Sequence, residues 1–275
     1  MSFGRRFWWL LAVGLVIGCA GQPAPPPTLP ATAVHELLQV GVTSSASPLI
    51  PLIEAVYAQE NPQAELLFVS ANSDTLTADL GSGQLDAILV HHIAEGETRY
   101  FNPVALDGLV FIVHPNNPIQ TLSRAEVQAI FNGRITNWQS VGGADEEIVL
   151  LSREQGAGLR TILRQQVMAE QRISPNALLE ADNEAMLTAV ANNPAAIGYS
   201  SMGSASQVAG VKILPMDGRS ATPATTADQT YPLTTPLYFL TASAAEPTGE
   251  LRAFLAWLQS DEGQRMIEGV YGRVR

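Results

Sequence analysis

The chain has one cysteine, Cys19, and one lysine, Lys212, in 275 residues. A single thiol excludes an intramolecular disulfide, so stability has to come from burying apolar surface. Acidic residues outnumber basic ones 26 to 15, for a formal charge of −11. That balance supplies no basic stripe for a phosphate backbone, and nucleic acid is excluded as a partner. A small anion is not excluded: charges beyond about 10 Å are screened, while one arginine or helix dipole acts at contact. The sequence also lacks a "GxSxG" nucleophile elbow and any internal repeat.

Arg5 and Arg6 precede an apolar run at 7–17 that ends at Gly18 and Cys19. This is a signal-peptide layout, and its eleven apolar residues are too few for a comfortable membrane span. "VIGC" resembles a bacterial lipobox, whose cysteine becomes the lipidated first residue. Residues 1–19 are therefore expected to be a lipoprotein signal peptide, with the chain extracytoplasmic and anchored to the cell membrane through Cys19. "AGQPAPPPTLPATAV" follows with five prolines in fifteen residues and no charge. Such a stretch builds no core, so a semi-stiff tether is expected over 20–35.

From Gln39 onward short apolar runs alternate with amphipathic stretches. "LLQVGV", "AELLFVS", "LDAILV" and "IVLLS" read as strands; "PLIPLIEAVYAQENP", 75–80 and "EAMLTAVANNP" read as helices. Ser123 and Glu126 form a capping box before "VQAIF". The helix after Gly158 is expected to be long, with Leu159, Ile162, Leu163 and Val167 on one face. "YPLTTPLYFLT" is extended, and its prolines suit an edge or a crossover. Alternation at this spacing predicts an α/β fold with parallel pairing.

Three strand-to-helix junctions share one chemistry: "TSSAS" at 43–47, "SANSDT" at 70–75 and "SREQGAG" at 152–158. Each sets hydroxyls or glycines where a helix N-terminus exposes unpaired N–H donors and its positive dipole end. An oxyanion is the ligand such ends favour, and in α/β sheets ligands gather beyond the carboxyl ends of the strands. Helix capping explains each hydroxyl separately. Arg153 adds a side chain able to give two parallel bonds to an oxyanion.

"DGLVFIVHPNNPIQTLSRAEVQAIFNGRITNW" with "VGG" close behind resembles the substrate-binding proteins of phosphate ABC transporters. "SREQGAGLR", "NNPAAIGYSSMG", "YPLTTPLYFLT" and "WLQSDEGQ" match further segments of that family in the right order. The resemblance implies a two-lobed, type II periplasmic-binding-protein-like fold. Each lobe would be a mostly parallel sheet flanked by helices, joined by crossover strands near 109–114 and 236–240. Lobe one would combine 36–112 with 237–275, and lobe two would be 113–236.

Carried over by position, the implied ligand residues are Thr43, Ser44, Ser45, Asn72, Ser73, Arg153, Gly156, Ala157 and Gly158. The family's hydroxyls in "GSGT" are replaced here by Ala157 and Leu159, so backbone N–H groups must serve. Where the family carries serine or aspartate after the third strand, this chain has Val90, His91 and His92. The aspartate is the family's acceptor for a proton still on phosphate. Its loss brings sulfate, molybdate and tungstate into play beside phosphate, and "LDAILVHH" with "TSSAS" resembles tungstate-binding relatives.

The other classes are weaker. The four histidines sit in no triad motif, which counts against a hydrolase. His91, His92, Glu95 and Glu97 are a compact candidate metal cluster, but adjacent histidines after a strand point to opposite sides. The roles of His91 and His92 stay open. Trp138 is expected to pack inside a lobe, and Glu154 to orient Arg153 or replace the missing acceptor. The expectation is a monomeric binding protein, not an enzyme, needing no cofactor or metal, that captures phosphate or a related oxyanion for a membrane permease of an ABC transporter.

Overall fold

The structure is a computed structural model that describes Met1 and residues 37–169 and 171–274. The expected signal peptide, Cys19 and the tether lie outside the described residues. Among the described residues, no helix is long and apolar enough to cross a membrane.

The first strand, β1 (Leu37–Thr43), runs into a 3-10 turn at Ser44–Ala46 and then α1 (Leu49–Glu60). Pro48 and Pro51 sit at the start of α1, where a missing N–H breaks no helical bond. There follow β2 (Glu65–Ala71), α2 (Ser73–Ser82) and β3 (Ala87–Val90). A long strand, β4 (Phe101–Val113), leads to α3 (Arg124–Phe131), opened by the expected Ser123–Glu126 capping box. Next come β5 (Val149–Arg153), α4 (Gly158–Leu163), β6 (Leu178–Glu180), α5 (Asn183–Ala191) and β7 (Ala196–Ser201). The chain continues through α6 (Met202–Ala205), β8 (Lys212–Leu214), α7 (Pro223–Ala227) and β9 (Thr234–Thr241). It closes with α8 (Gly249–Leu258) and α9 (Asp261–Glu268).

Two parallel half-sheets result. β1 pairs with β2 and β3 in one, and β5 pairs with β6 and β7 in the other. β4 and β9 run between them, antiparallel to each other and to their outer neighbours β7 and β3. β4 changes partner from β9 to β7 between Gly108 and Leu109, so these two strands are the crossovers. Pro236 lies on β9 beyond the last residue pairing with β3, Tyr238, where no ladder on that side needs its N–H.

Separate cores stabilise the two halves. Phe111, Phe131, Trp138, Ile197 and Tyr199 belong to the middle one. Val42, Ile53, Tyr57, Phe239, Phe254 and Tyr271 form another, drawing together both ends of the described chain, and Leu76, Leu80, Leu85, Ile88, Val90 and Leu240 form a third, smaller one. Burying each such large side chain contributes about 1.5–3 kcal/mol. Trp138 packs as expected, its indole N–H donating to the Ala195 carbonyl at 2.9 Å.

The helix after Gly158 departs from expectation. α4 ends at Leu163, and a wider π turn over Arg164–Met168 replaces further α turns, ending at Ala169 with φ 44°. Leu159, Ile162, Leu163 and Val167 are buried regardless, so the apolar face was correctly placed but not the helical pitch.

Candidate functional site

The carboxyl ends of β1, β2 and β5 deliver the three junctions to one seam between the half-sheets. At the first, Thr43 and Ser45 are buried. Ser44 Oγ reaches across and accepts from the Asn183 N–H, in the first turn of α5, at 3.1 Å. Ser204 Oγ donates to the Ser45 carbonyl at 2.9 Å, a second bond across the seam. Beside these contacts lies a cleft of about 560 Å³ bordered by Ser44, Ser47 and Ser70 on one side and Asp182, Asn183 and Ser204 on the other.

At the second junction, Asn72 accepts from the Thr75 N–H at 2.9 Å and caps α2. Its side chain is thereby committed to the helix. Ser73 differs: its Oγ is buried and has no hydrogen-bond partner among the described residues. Leaving a buried hydroxyl unpaired costs roughly 1–3 kcal/mol, so Ser73 is poised for a partner the protein itself does not supply.

The third junction faces it. A Cβ built on Gly158 would lie 2.6 Å from Ser73 Oγ and 3.9 Å from His92 Cβ, and one on Gly156 would lie 3.0 Å from an Asp74 carboxylate oxygen. The Asp74 N–H donates to the Gly156 carbonyl at 3.3 Å. A side chain at either glycine would crowd the Ser73 or Asp74 side chain, so glycine lets the two loops approach this closely. Ala157 supplies the carbonyl that the Arg160 and Thr161 N–H groups share, leaving the Gly158 and Leu159 N–H groups without partners among the described residues.

Arg153 ends β5 with its side chain 6% exposed. Nε donates to Glu154 and to the Glu180 carbonyl, both at 3.2 Å; Nη2 donates to Glu154 at 3.2 Å and to the Ala181 carbonyl at 3.3 Å. Glu154 thus orients the guanidinium, and Nη1 makes no hydrogen bond among the described residues. The 180–183 segment that holds Arg153 is the one that meets Ser44. Direct contacts across the seam thus join Ser44 and Ser45 to Asn183 and Ser204, and bring Gly158 against Ser73, while Asn72 caps α2 and Arg153 is held by Glu154 and the 180–181 carbonyls.

His91 and His92 point apart, as successive strand-end residues should. His92 is half-buried, and burial lowers its imidazole from the ordinary value of 6.5 while the Asp74 charge partly offsets that. His91 is buried between Ser45 and Asp107: Ser45 Oγ lies 3.2 Å from Nδ1, and Asp107 Oδ2 lies 2.8 Å from Nε2. Glu97 is instead engaged by Arg99, which holds its carboxyl down at about 2. Among the described residues no three metal-ligating side chains converge.

Asp107, Asn183 and Ser204 escaped the sequence reading. Asp107 did leave a signal, since a lone carboxylate in "VALDGLVFIV" interrupts a strand buried on both faces and must find a partner there. Nothing local marked Asn183 or Ser204, which matter only through the distant Ser44 and Ser45.

A model of the PBP superfamily domain matches residues 26–262. The phosphate-binding protein PstS of Bacillus subtilis is 25% identical over 236 residues, covering 84% of this chain and 77% of that protein. The crystal structure of a putative phosphate ABC transporter substrate-binding protein with bound phosphate, from Clostridium perfringens, superimposes with a TM-score of 0.80. It shares 24% identity, over 87% of this chain and all of that one. An ABC-type phosphate transport receptor from Vibrio cholerae gives 0.69 at 26% identity, over 86% of this chain and 99% of that one. Two parallel half-sheets, two antiparallel crossover strands and a seam between them are the type II binding-protein architecture, and the chain belongs to the PBP superfamily.

Proposed function

We propose that this protein is an extracytoplasmic solute-binding lipoprotein that captures inorganic phosphate at the seam and delivers it to the permease of an ABC importer. The observation that carries the proposal is the buried, unpartnered Ser73 hydroxyl, set against the glycine-cleared N–H groups of Gly158 and Leu159. Donors without partners in a buried place call for a compact acceptor, and a tetrahedral oxyanion offers several at once. Thr43, Ser44, Ser45, Arg153 and the 156–158 backbone complete the binding set. The relatives named for phosphate favour that anion over sulfate, molybdate and tungstate.

Local charge supports the same ligand on an acidic chain. A polar cavity of about 790 Å³ opens beside Asp74 and is bordered by Arg160, Arg164 and Arg172, which would draw an anion toward the seam. The protein acts by equilibrium capture, without catalysis, as a monomer held to the membrane through lipid on Cys19. β4 and β9 are the hinge between two lobes, 36–112 with 237–275 and 113–236.

Calorimetry against phosphate, sulfate, molybdate and tungstate tests the proposal. Saturable phosphate binding at micromolar Kd or better, about 8 kcal/mol, is expected. Tighter binding of another of these anions transfers the assignment to that anion, and no binding of any removes it.

A further inference from the structure

Five of the 15 basic residues in this acidic chain gather around one segment, 160–173. Arg160, Arg164 and Arg172 border the polar cavity of about 790 Å³, and among the described residues Asp74 is the one carboxylate on its wall. Arg160 and Arg164 stand four residues apart, where like charges on a helix repel. Arg160 commits Nη1 to the Arg153 carbonyl. The guanidiniums of Arg164 and Arg172, both exposed residues, meet no acceptor among the described residues.

The other two arginines brace the wall from behind. Two carbonyls of the π turn are taken by α3 side chains: Arg124 Nη1 donates to Gln166 at 3.0 Å and Gln128 Nε2 to Val167 at 2.9 Å. Ala169 then turns the chain back at φ 44°, a conformation uncommon for a residue with a Cβ, and Arg172 joins the wall that Arg160 and Arg164 occupy. Both π turns and backbone outliers of this kind concentrate at functional sites. A chain of amides sets the polarity of the wall. The Arg134 N–H and Nε–H both donate to Asn132 Oδ1, at 3.1 and 3.2 Å, so Asn132 Nδ2 is the group that donates to Gln171 Oε1 at 2.6 Å. Gln171 is left with its NH₂, a donor only, at the cavity.

We propose that this cavity is a second anion site, separate from the seam, that takes an inorganic oligophosphate such as triphosphate. Three guanidiniums against one carboxylate leave an excess of two positive charges, which suits a ligand with several negative ones. The volume lies in the range that encloses a ligand of many atoms, well beyond one tetrahedral ion. Ile173 is the one apolar residue on the wall, so nothing there stacks on a nucleobase or receives an acyl chain. A chain of phosphoryl groups offers each guanidinium fork a pair of oxygens and asks for no apolar contact.

The test is calorimetry of the full chain with sodium triphosphate, free of divalent cations, with and without saturating phosphate. Triphosphate should bind at one site with a Kd that phosphate does not change. Ser73→Ala, a change at the seam, should bind triphosphate as the wild type does. Arg164→Gln combined with Arg172→Gln should weaken it by about tenfold or more, since two charged donors are lost. Raising the salt from about 0.1 to 1 M should weaken it in the wild type too.

Displacement of triphosphate by phosphate, one for one, would put both ligands at the seam and overturn the inference. No triphosphate binding overturns it, as does an unchanged Kd in the folded double variant. ATP binding more than about tenfold tighter than triphosphate overturns the ligand class, because it requires a base contact that this wall does not offer. If the double variant does not fold, the competition with phosphate decides. Triphosphate binding in a wild type that ignores phosphate removes the reading of the seam and leaves this site standing.

Discussion

Ser73 Oγ and the α-carbon of Gly158 approach so closely that a methyl group on the glycine would sit 2.6 Å from the hydroxyl, with no other atom nearer than 3.6 Å. The two residues come from different half-sheets, and the hydroxyl has no hydrogen-bond partner among the described residues. The contact makes a non-additive pair. Gly158→Ala should rotate the Ser73 hydroxyl out of the seam and weaken phosphate binding by about tenfold or more, the worth of one hydrogen bond to a charged group. Ser73→Ala should cost about the same. The double variant should be no weaker than either single one, because each change removes the same donor. Strictly additive losses in calorimetry would show that the two residues serve separate contacts.

Arg153 joins stability and binding. Arg153→Ala removes the side-chain donor to the part-buried carbonyls of Glu180 and Ala181, a loss of about 1 kcal/mol in unfolding free energy. It should also weaken phosphate binding by more than about 100-fold, since a charged donor is removed. Arg153→Lys should recover part of the stability and little of the affinity, because an ammonium cannot reproduce the planar fork. Denaturant melts and calorimetry on the same preparations separate the two effects, and unchanged affinity in Arg153→Ala would take the residue out of the site.

His92 gives a pH dependence with a definite sign. Its imidazole is lowered below 6.5 in the folded protein, so below that pH the unfolded chain binds more protons than the folded one. Stability should therefore fall as the solution is acidified through and below 6.5, and His92 should contribute nothing above it. His92→Gln should flatten this part of the profile in thermal melts across that range. A variant whose profile runs parallel to the wild type would contradict the assignment.

Much of this architecture was legible because it is local. The Ser123–Glu126 box, Pro48 before α1 and the alternation of β1, β2 and β3 with their helices each follow from neighbours in sequence. The junctions were legible for the same reason, since hydroxyls and glycines before a helix have one common use. Short edge strands were not: β6 and β8 have three residues each, too few for a period. The π turn after Leu163 was hidden because its apolar residues keep helical spacing. His91 was the hardest, its meaning coming from Asp107 sixteen residues on and Ser45 forty-six residues back. Only folding brings the three together.

A crystal structure of the protein grown with phosphate tests the central claim most directly. The account predicts one phosphate at the seam, within hydrogen-bond reach of Ser73 Oγ, the Gly158 N–H and the Arg153 guanidinium. A seam left empty of anion, with phosphate bound elsewhere or not at all, would contradict it.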